Sequence, residues 1–221
     1  MIGVFDSGIG GHSVLRALRA QLPGEDFTYV ADTANAPYGE REESFVAQRS
    51  LAIARELIAE RGAKLVVVAC NTATAAAIDL LREAHPHVPF VGVEPPLKPA
   101  AAATRTKQVG VMATRATLGS AKFKALLASL QGSGVEFILQ PCDGLAHAIE
   151  TDDGARIREL CEDYVTAIRA RGDVDTLVLG CTHYALVDDV LQAMAGDGVR
   201  LIEPGLPVAR RVASLLGYPA A

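Results

Sequence analysis

Short apolar runs alternate with amphipathic stretches from one end of the chain to the other. Runs at Ile2–Asp6, Phe27–Ala31, Leu65–Cys70, Phe90–Glu94, Gln108–Ala113, Val135–Leu139, Thr176–Cys181 and Val199–Glu203 read as buried strands. Between them apolar residues recur at helical spacing, as in Phe123, Leu126, Leu127 and Leu130, and again in Ile157, Leu160, Cys161, Tyr164 and Ile168. Strand–helix alternation predicts an α/β protein with parallel sheets. A parallel connection needs a crossover, and helices then cover both sheet faces.

The chain also resembles itself. VVVACNTATAA at 66–76 matches LVLGCTHYALV at 177–187, VEPPL at 93–97 matches IEPGL at 202–206, and IGVFDSG at 2–8 matches VGVMATR at 109–115. These matches set Cys70 against Cys181, Glu94 against Glu203 and Asp6 against Ala113, in one order and at nearly one offset. Any two strand–helix units look somewhat alike, but ordered agreement across three segments favours a duplicated four-strand unit. The expected fold is two similar doubly wound α/β lobes, each with a mainly parallel four-stranded sheet, related by a pseudo-two-fold axis and facing across a central cleft. The first lobe is expected to span 1–97 plus 207–221 and the second 98–206, with the boundary in the Pro/Ala-rich stretch 95–106 and the last helix, 207–216, returning to the first lobe. Clefts at the C-terminal ends of parallel strands are where small ligands usually bind.

Composition narrows the function classes. The 221 residues carry 21 basic and 26 acidic side chains, a net charge of −5 that argues against a nucleic-acid partner. Half are hydrophobic, enough for a sizeable core. No apolar run reaches the ~20 residues that cross a bilayer and MIGVFDSG has no signal-peptide pattern, so a cytoplasmic protein without membrane contact is expected. Four cysteines without CxxC spacing exclude a disulfide scaffold and a zinc knuckle, and predict free thiols.

Two of those thiols share a context. Cys70 and Cys181 each end an apolar strand just before a polar turn and a helix, where unsatisfied N–H groups favour thiolate. Cys161, on the apolar stripe of a helix, reads as core filling, and so does Cys142 in PCDG. Two thiols on opposite lobes would approach a ligand from opposite faces, which suits inversion of a carbon stereocentre by a base on one side and an acid on the other. Asp6 is a candidate partner for one thiol and His183 for the other, and Glu150, near the end of a polar segment after Cys142, is a further candidate, although Asp6 and Ser7 could instead cap the helix beginning near Ser13. The DSGIGG turn at 6–11 brings backbone close to the cleft, yet Ser13 stands where a dinucleotide loop needs its third glycine. Tyr38 and Gly39, in the loop DTANAPYGE, are placed to line the same cleft.

FDSGIGG (5–11), APYGE (36–40), CNTAT (70–74), VGVEP (91–95), VGVMATRAT (109–117) and LGCTHYALV (179–187) together resemble the glutamate racemases of the cofactor-independent aspartate/glutamate racemase superfamily. The resemblance implies that Cys70 acts on the D-enantiomer with Asp6, and Cys181 on the L-enantiomer with Glu150 and His183. It implies that Asp6, Ser7, Tyr38, Gly39, Asn71, Thr72, Thr114, Thr117, Thr182 and His183 hold glutamate, with no metal and no pyridoxal phosphate. It further implies a homodimer and D-glutamate for bacterial peptidoglycan. His183 after Cys-Thr departs from the glutamate that aspartate racemases carry there. PCDGLAHAIE (141–150) replaces the family's CPxFVPLVE around Glu150, HYALV replaces HYPLL, and the chain ends before the additional C-terminal strand and helix of longer members. The other readings of these residues are a related racemase of different or broader specificity, and a non-catalytic module binding small anions or nucleotides on the same fold.

Overall fold

The computed structural model describes residues 1–218, so residues 219–221 of the expected 207–221 segment lie outside the described residues. All eight expected strands form: β1 (Ile2–Asp6), β2 (Phe27–Ala31), β3 (Leu65–Val68), β4 (Phe90–Gly92), β5 (Gln108–Ala113), β6 (Glu136–Pro141), β7 (Thr176–Leu179) and β8 (Arg200–Ile202). They make two four-stranded sheets ordered β2-β1-β3-β4 and β6-β5-β7-β8, with every pairing parallel. The two orders are the same four-strand topology used twice, which agrees with the internal repeat.

Ten α-helices cover these sheets among the described residues: α1 (His12–Gln21), α2 (Glu43–Arg55), α3 (Asn71–Ala84), α4 (Leu97–Ala103), α5 (Arg115–Gly119), α6 (Ala121–Ala128), α7 (Leu145–Glu150), α8 (Gly154–Arg169), α9 (Asp188–Ala195) and α10 (Gly205–Leu215). Strand alternation divides the core into layers. In β3, Leu65 and Val67 pack with α1 and α10, whereas Val66 and Val68 pack with α2 and α3. In β7, Leu177 and Leu179 face α8 and α9, and Val178 faces α4 and α6. Each such buried Val or Leu contributes about 1.5–3 kcal/mol. Helix α8 follows its sequence spacing: Ile157, Leu160, Cys161, Val165 and Ile168 are buried, and the Asp153 side chain caps its start by accepting from the Arg156 amide at 3.0 Å.

The helix α10 packs Val208, Ala209, Val212 and Ala213 against Ile2, Val4 and the α1 leucines, so the chain's last helix covers the first sheet. Leu97 and Ala100 of α4 pack against Val109, Val111 and Val178 of the second. No helix among the described residues is long and apolar enough to cross a membrane.

β3 and β7 end earlier than the apolar runs that announced them. Ala69 and Gly180 each add one hydrogen bond beyond the ladder, to Phe5 and Met112 carbonyls at 2.7 Å, and the next residue of each lobe is a cysteine. Apolar character continued into Cys70 and Cys181 because both are buried and their backbones are still extended, although the strand ladder has ended and the helical turn begins at the next residue.

Candidate active site

Cys70 is the N-cap residue of α3, and its sulfur accepts from the Ala73 amide at 3.5 Å. Its thiol also faces the Ser7 hydroxyl at 3.9 Å. Asp6 ends the neighbouring strand β1 and is fully buried. Its Oδ2 accepts from the Gly11 amide at 2.8 Å and the Gly8 amide at 3.3 Å, while Oδ1 has no partner. Asp6 thus folds the glycine turn around itself, with no side-chain cap on α1. Burial pushes the Asp6 carboxyl up, against the pull of His183 and of the Gly11 and Ser7 amides. Burial, and then the Asp6 charge, push the Cys70 thiol well up, and the Ala73 amide offsets only part of that. The helix terminus therefore does not make Cys70 a resting thiolate, contrary to the expectation drawn from its position. Desolvation outweighs the amide because the site is closed over it.

Cys181 opens a single 3₁₀ segment, Thr182–Leu186, and its side chain caps nothing. Its sulfur lies 3.8 Å from His183 Nδ1, and His183 Nε2 is 2.7 Å from Glu150 Oε2 at the end of α7. Glu150 therefore fixes the ring with Nδ1 toward the sulfur. Burial opposes charge on His183, yet Cys181 and Glu150 together raise it well above its ordinary value. Burial likewise opposes ionisation of Glu150, but hydrogen bonds from His183 and the Ile9 amide hold it below its usual range. The changed segment around Glu150 still delivers its carboxylate to His183.

The remaining candidates separate into groups. Thr72 of the first lobe meets Thr114 and Thr117 of the second, with hydroxyl oxygens 3.1 and 3.5 Å away, and Thr114 donates to Thr117 at 3.0 Å. Gly39 lies so close to this cluster that a Cβ there would stand 2.7 Å from Thr114 Cγ2. Tyr38 is buried, and its hydroxyl is already engaged, donating to Asp32 Oδ2 at 2.5 Å, while Arg49 holds Asp32 through both carboxylate oxygens. Asn71 donates to the Val93 carbonyl at 3.3 Å and leaves its buried Oδ1 unpartnered. Thr182 is buried, and its carbonyl accepts from Ser13 of the other lobe at 3.3 Å. Asp6, Ser7, Cys70, Cys181, His183 and Glu150 thus gather where β1, β3 and β7 end. Among the described residues no three His, Cys, Asp or Glu side chains form a metal-holding group.

The family model for Asp/Glu/hydantoin racemases matches residues 2–212. The chain belongs to that family. Curated relatives of this racemase family member include the glutamate racemase of Ectopseudomonas mendocina, 50% identical over 98% of this chain and 82% of the relative. The glutamate racemase of Cupriavidus pinatubonensis is 50% identical over 97% and 78%. Among solved structures, the Escherichia coli glutamate racemase in complex with L-glutamate and an activator superposes with a TM-score of 0.88 at 34% identity, covering 100% of this chain and 83% of that one. The Francisella tularensis glutamate racemase with D-glutamate gives 0.80 at 30% identity, covering 98% and 80%.

Several positions around the site of this family member carried no sequence signal. Tyr29 donates to the Gly8 carbonyl at 2.6 Å and stacks on His12, bracing the glycine turn from behind. Asp32 and Arg49 anchor the Tyr38 loop. Both rest on contacts between distant segments, which periodicity does not reveal; an Asp after a strand and one of two arginines on α2 look like ordinary surface residues.

Proposed function

We propose that this protein interconverts L- and D-glutamate by proton transfer between two thiols. Support comes first from one observation: buried cysteines at equivalent strand ends of two like lobes, each with its own ionisable partner. Relatives named glutamate racemase at about half identity supply the substrate. In the L-to-D direction, Cys181 as thiolate removes the Cα proton, and Cys70 as thiol delivers its proton to the opposite face of the carbanion. The enzyme is left with Cys181 protonated and Cys70 ionised, the starting state for the reverse direction. Asp6 takes up or returns the proton of Cys70, and the His183–Glu150 pair that of Cys181. Ser7, Asn71, Thr72, Thr182 and His183 hold the substrate, with Tyr38, Gly39, Thr114 and Thr117 shaping its edge. The buried site excludes water and aims amide and hydroxyl donors at the carboxylate, which lowers the cost of the carbanion.

The same reading divides the chain into lobes 1–97 with 207–221 and 98–206, and places the enzyme in the cytoplasm, supplying D-glutamate for peptidoglycan. It assigns no nucleic-acid or membrane partner, and includes a homodimer, which light scattering checks. The deciding experiment is incubation with L-glutamate in deuterated water, without pyridoxal phosphate and with a chelator. Loss of optical rotation with deuterium uptake at Cα is expected. Absence of exchange with glutamate overturns the proposal.

A further inference from the structure

We infer that the Gly8–Ile9–Gly10 turn of the first lobe is a positioning element for the Cys181 half of the reaction in the second lobe, an inference that rests on the racemase reading. Glu150 sits at the last residue of a six-residue helix and its Oε2 accepts two hydrogen bonds. One comes from His183 Nε2 at 2.7 Å and the other from the Ile9 amide of the opposite lobe at 3.1 Å. The glycines on either side press directly on the same pair. A Cβ on Gly8 would overlap the Glu150 carboxylate, and one on Gly10 would overlap the His183 ring at Nδ1, the nitrogen that faces Cys181. Ser13 ties the turn to the residue after Cys181, donating to the Gly10 carbonyl at 2.9 Å and approaching the Thr182 carbonyl at 3.3 Å. Tyr29 holds the Gly8 carbonyl from the far side.

Cys70 needs no such help, since Asp6, Ser7 and the Ala73 amide all belong to its own lobe. The turn wraps Asp6 through the Gly8 and Gly11 amides at its base and presents Ile9 to Glu150 at its tip. The Ile9 amide and the two glycines therefore complete the His183–Glu150 pair from across the lobe boundary, whereas the hydrogen bonds to the Cys70 sulfur come from its own lobe. The charged groups around the imidazole are Glu150, Cys181 and Asp6, with His147 near the carboxylate.

The test uses Gly8→Ala and Gly10→Ala in the full chain. Enantiomers in water are equal in energy, so kcat/KM falls equally in both directions, by about tenfold or more for a displacement of this kind. Primary isotope effects reveal which proton transfer suffered. The effect on kcat/KM with α-deuterated L-glutamate should rise, because abstraction by Cys181 becomes more limiting, and the effect with α-deuterated D-glutamate should fall toward unity. Unchanged effects in both directions, or the reverse pattern, overturn the inference. Tyr29→Phe, which releases the turn without inserting an atom, should give the same pattern more weakly and decides the matter if the alanine variants do not fold. Should the wild-type protein racemise neither enantiomer, the racemase reading fails first. The His183 titration followed by NMR then tests the turn alone: Gly8→Ala should lower its midpoint toward that of a free imidazole, and an unchanged midpoint overturns the positioning role.

Discussion

The two thiols occupy the same place in the same four-strand topology, yet they are attended differently. Cys70 caps a fourteen-residue helix and accepts one of its amides, with a carboxylate from the adjacent strand of its own sheet. Cys181 precedes only a five-residue 3₁₀ segment, caps nothing, and has Ala113 where the first lobe has Asp6. The second lobe recruits an imidazole and a carboxylate from Glu150 on another helix instead. Duplication therefore conserved where the sulfur stands and not what surrounds it. A racemase tolerates this, because its two faces must do the same chemistry on mirror-image substrates using a protein that has no mirror symmetry.

Removing either sulfur is the largest test of this equivalence. Cys70→Ser and Cys181→Ser should each lower racemisation by about 10²–10⁴-fold, the usual worth of a positioned acid or base. Steady-state rates by circular dichroism from both enantiomers measure it. Near-normal turnover in either variant would break the two-thiol comparison.

The partners should differ in the sign of their effect on stability. Glu150 is held below its ordinary value of 4.5, so its contribution is present above that pH and lost as pH falls. His183 is raised above 6.5, so its contribution is full below that pH and lost as pH rises through the folded value. The gap in unfolding temperature between wild type and Glu150→Gln should accordingly be widest between pH 4.5 and 6.5, with a loss of about 1–3 kcal/mol for the orphaned partner. Asp6 behaves oppositely. Its carboxyl is raised, so the folded state holds the proton more tightly and stability falls as pH climbs from 3.8 through the folded value. Asp6→Asn should raise the unfolding temperature at pH 7 while slowing racemisation, and thermal melts across pH distinguish the two carboxylates. A stabilising Glu150→Gln together with a destabilising Asp6→Asn would invert the comparison.

These differences between the lobes are also where sequence reading stops. Strand positions, sheet type and the repeat were legible because alternation and apolar runs are local, and the thiols because the repeat aligned them. Glu150 was legible from the residues only as a further candidate, and its assignment to Cys181 came from the family resemblance, since nothing in PCDGLAHAIE says that its last residue reaches His183. The role of the glycine turn is legible only in part. Gly8 and Gly10 announce close approach, but that the approach is to Glu150 and His183 depends on how two lobes dock. Tyr38 shows the opposite failure: its hydroxyl is buried against Asp32, a contact that makes the loop rigid and that no spacing predicts.

The remaining cysteines supply the smallest expected effect and the control on the rest. Cys161 is fully buried on the apolar stripe of α8 beside Ile157, Leu160 and Val165, and burial alone raises its thiol to about 11. Cys142 is buried too, its thiol donating to the Gln140 carbonyl at 3.3 Å. Both are neutral fillers at pH 7 and neither has a partner like Asp6 or His183. Cys161→Ala should leave kcat/KM within twofold while the void left by the sulfur costs about 1 kcal/mol, read as a modest drop in unfolding temperature. A large loss of activity without loss of fold would mean that burial in a stripe and burial at a strand end are not the distinct environments they look to be. The separation of the four thiols into a working pair and two fillers would then fall with it.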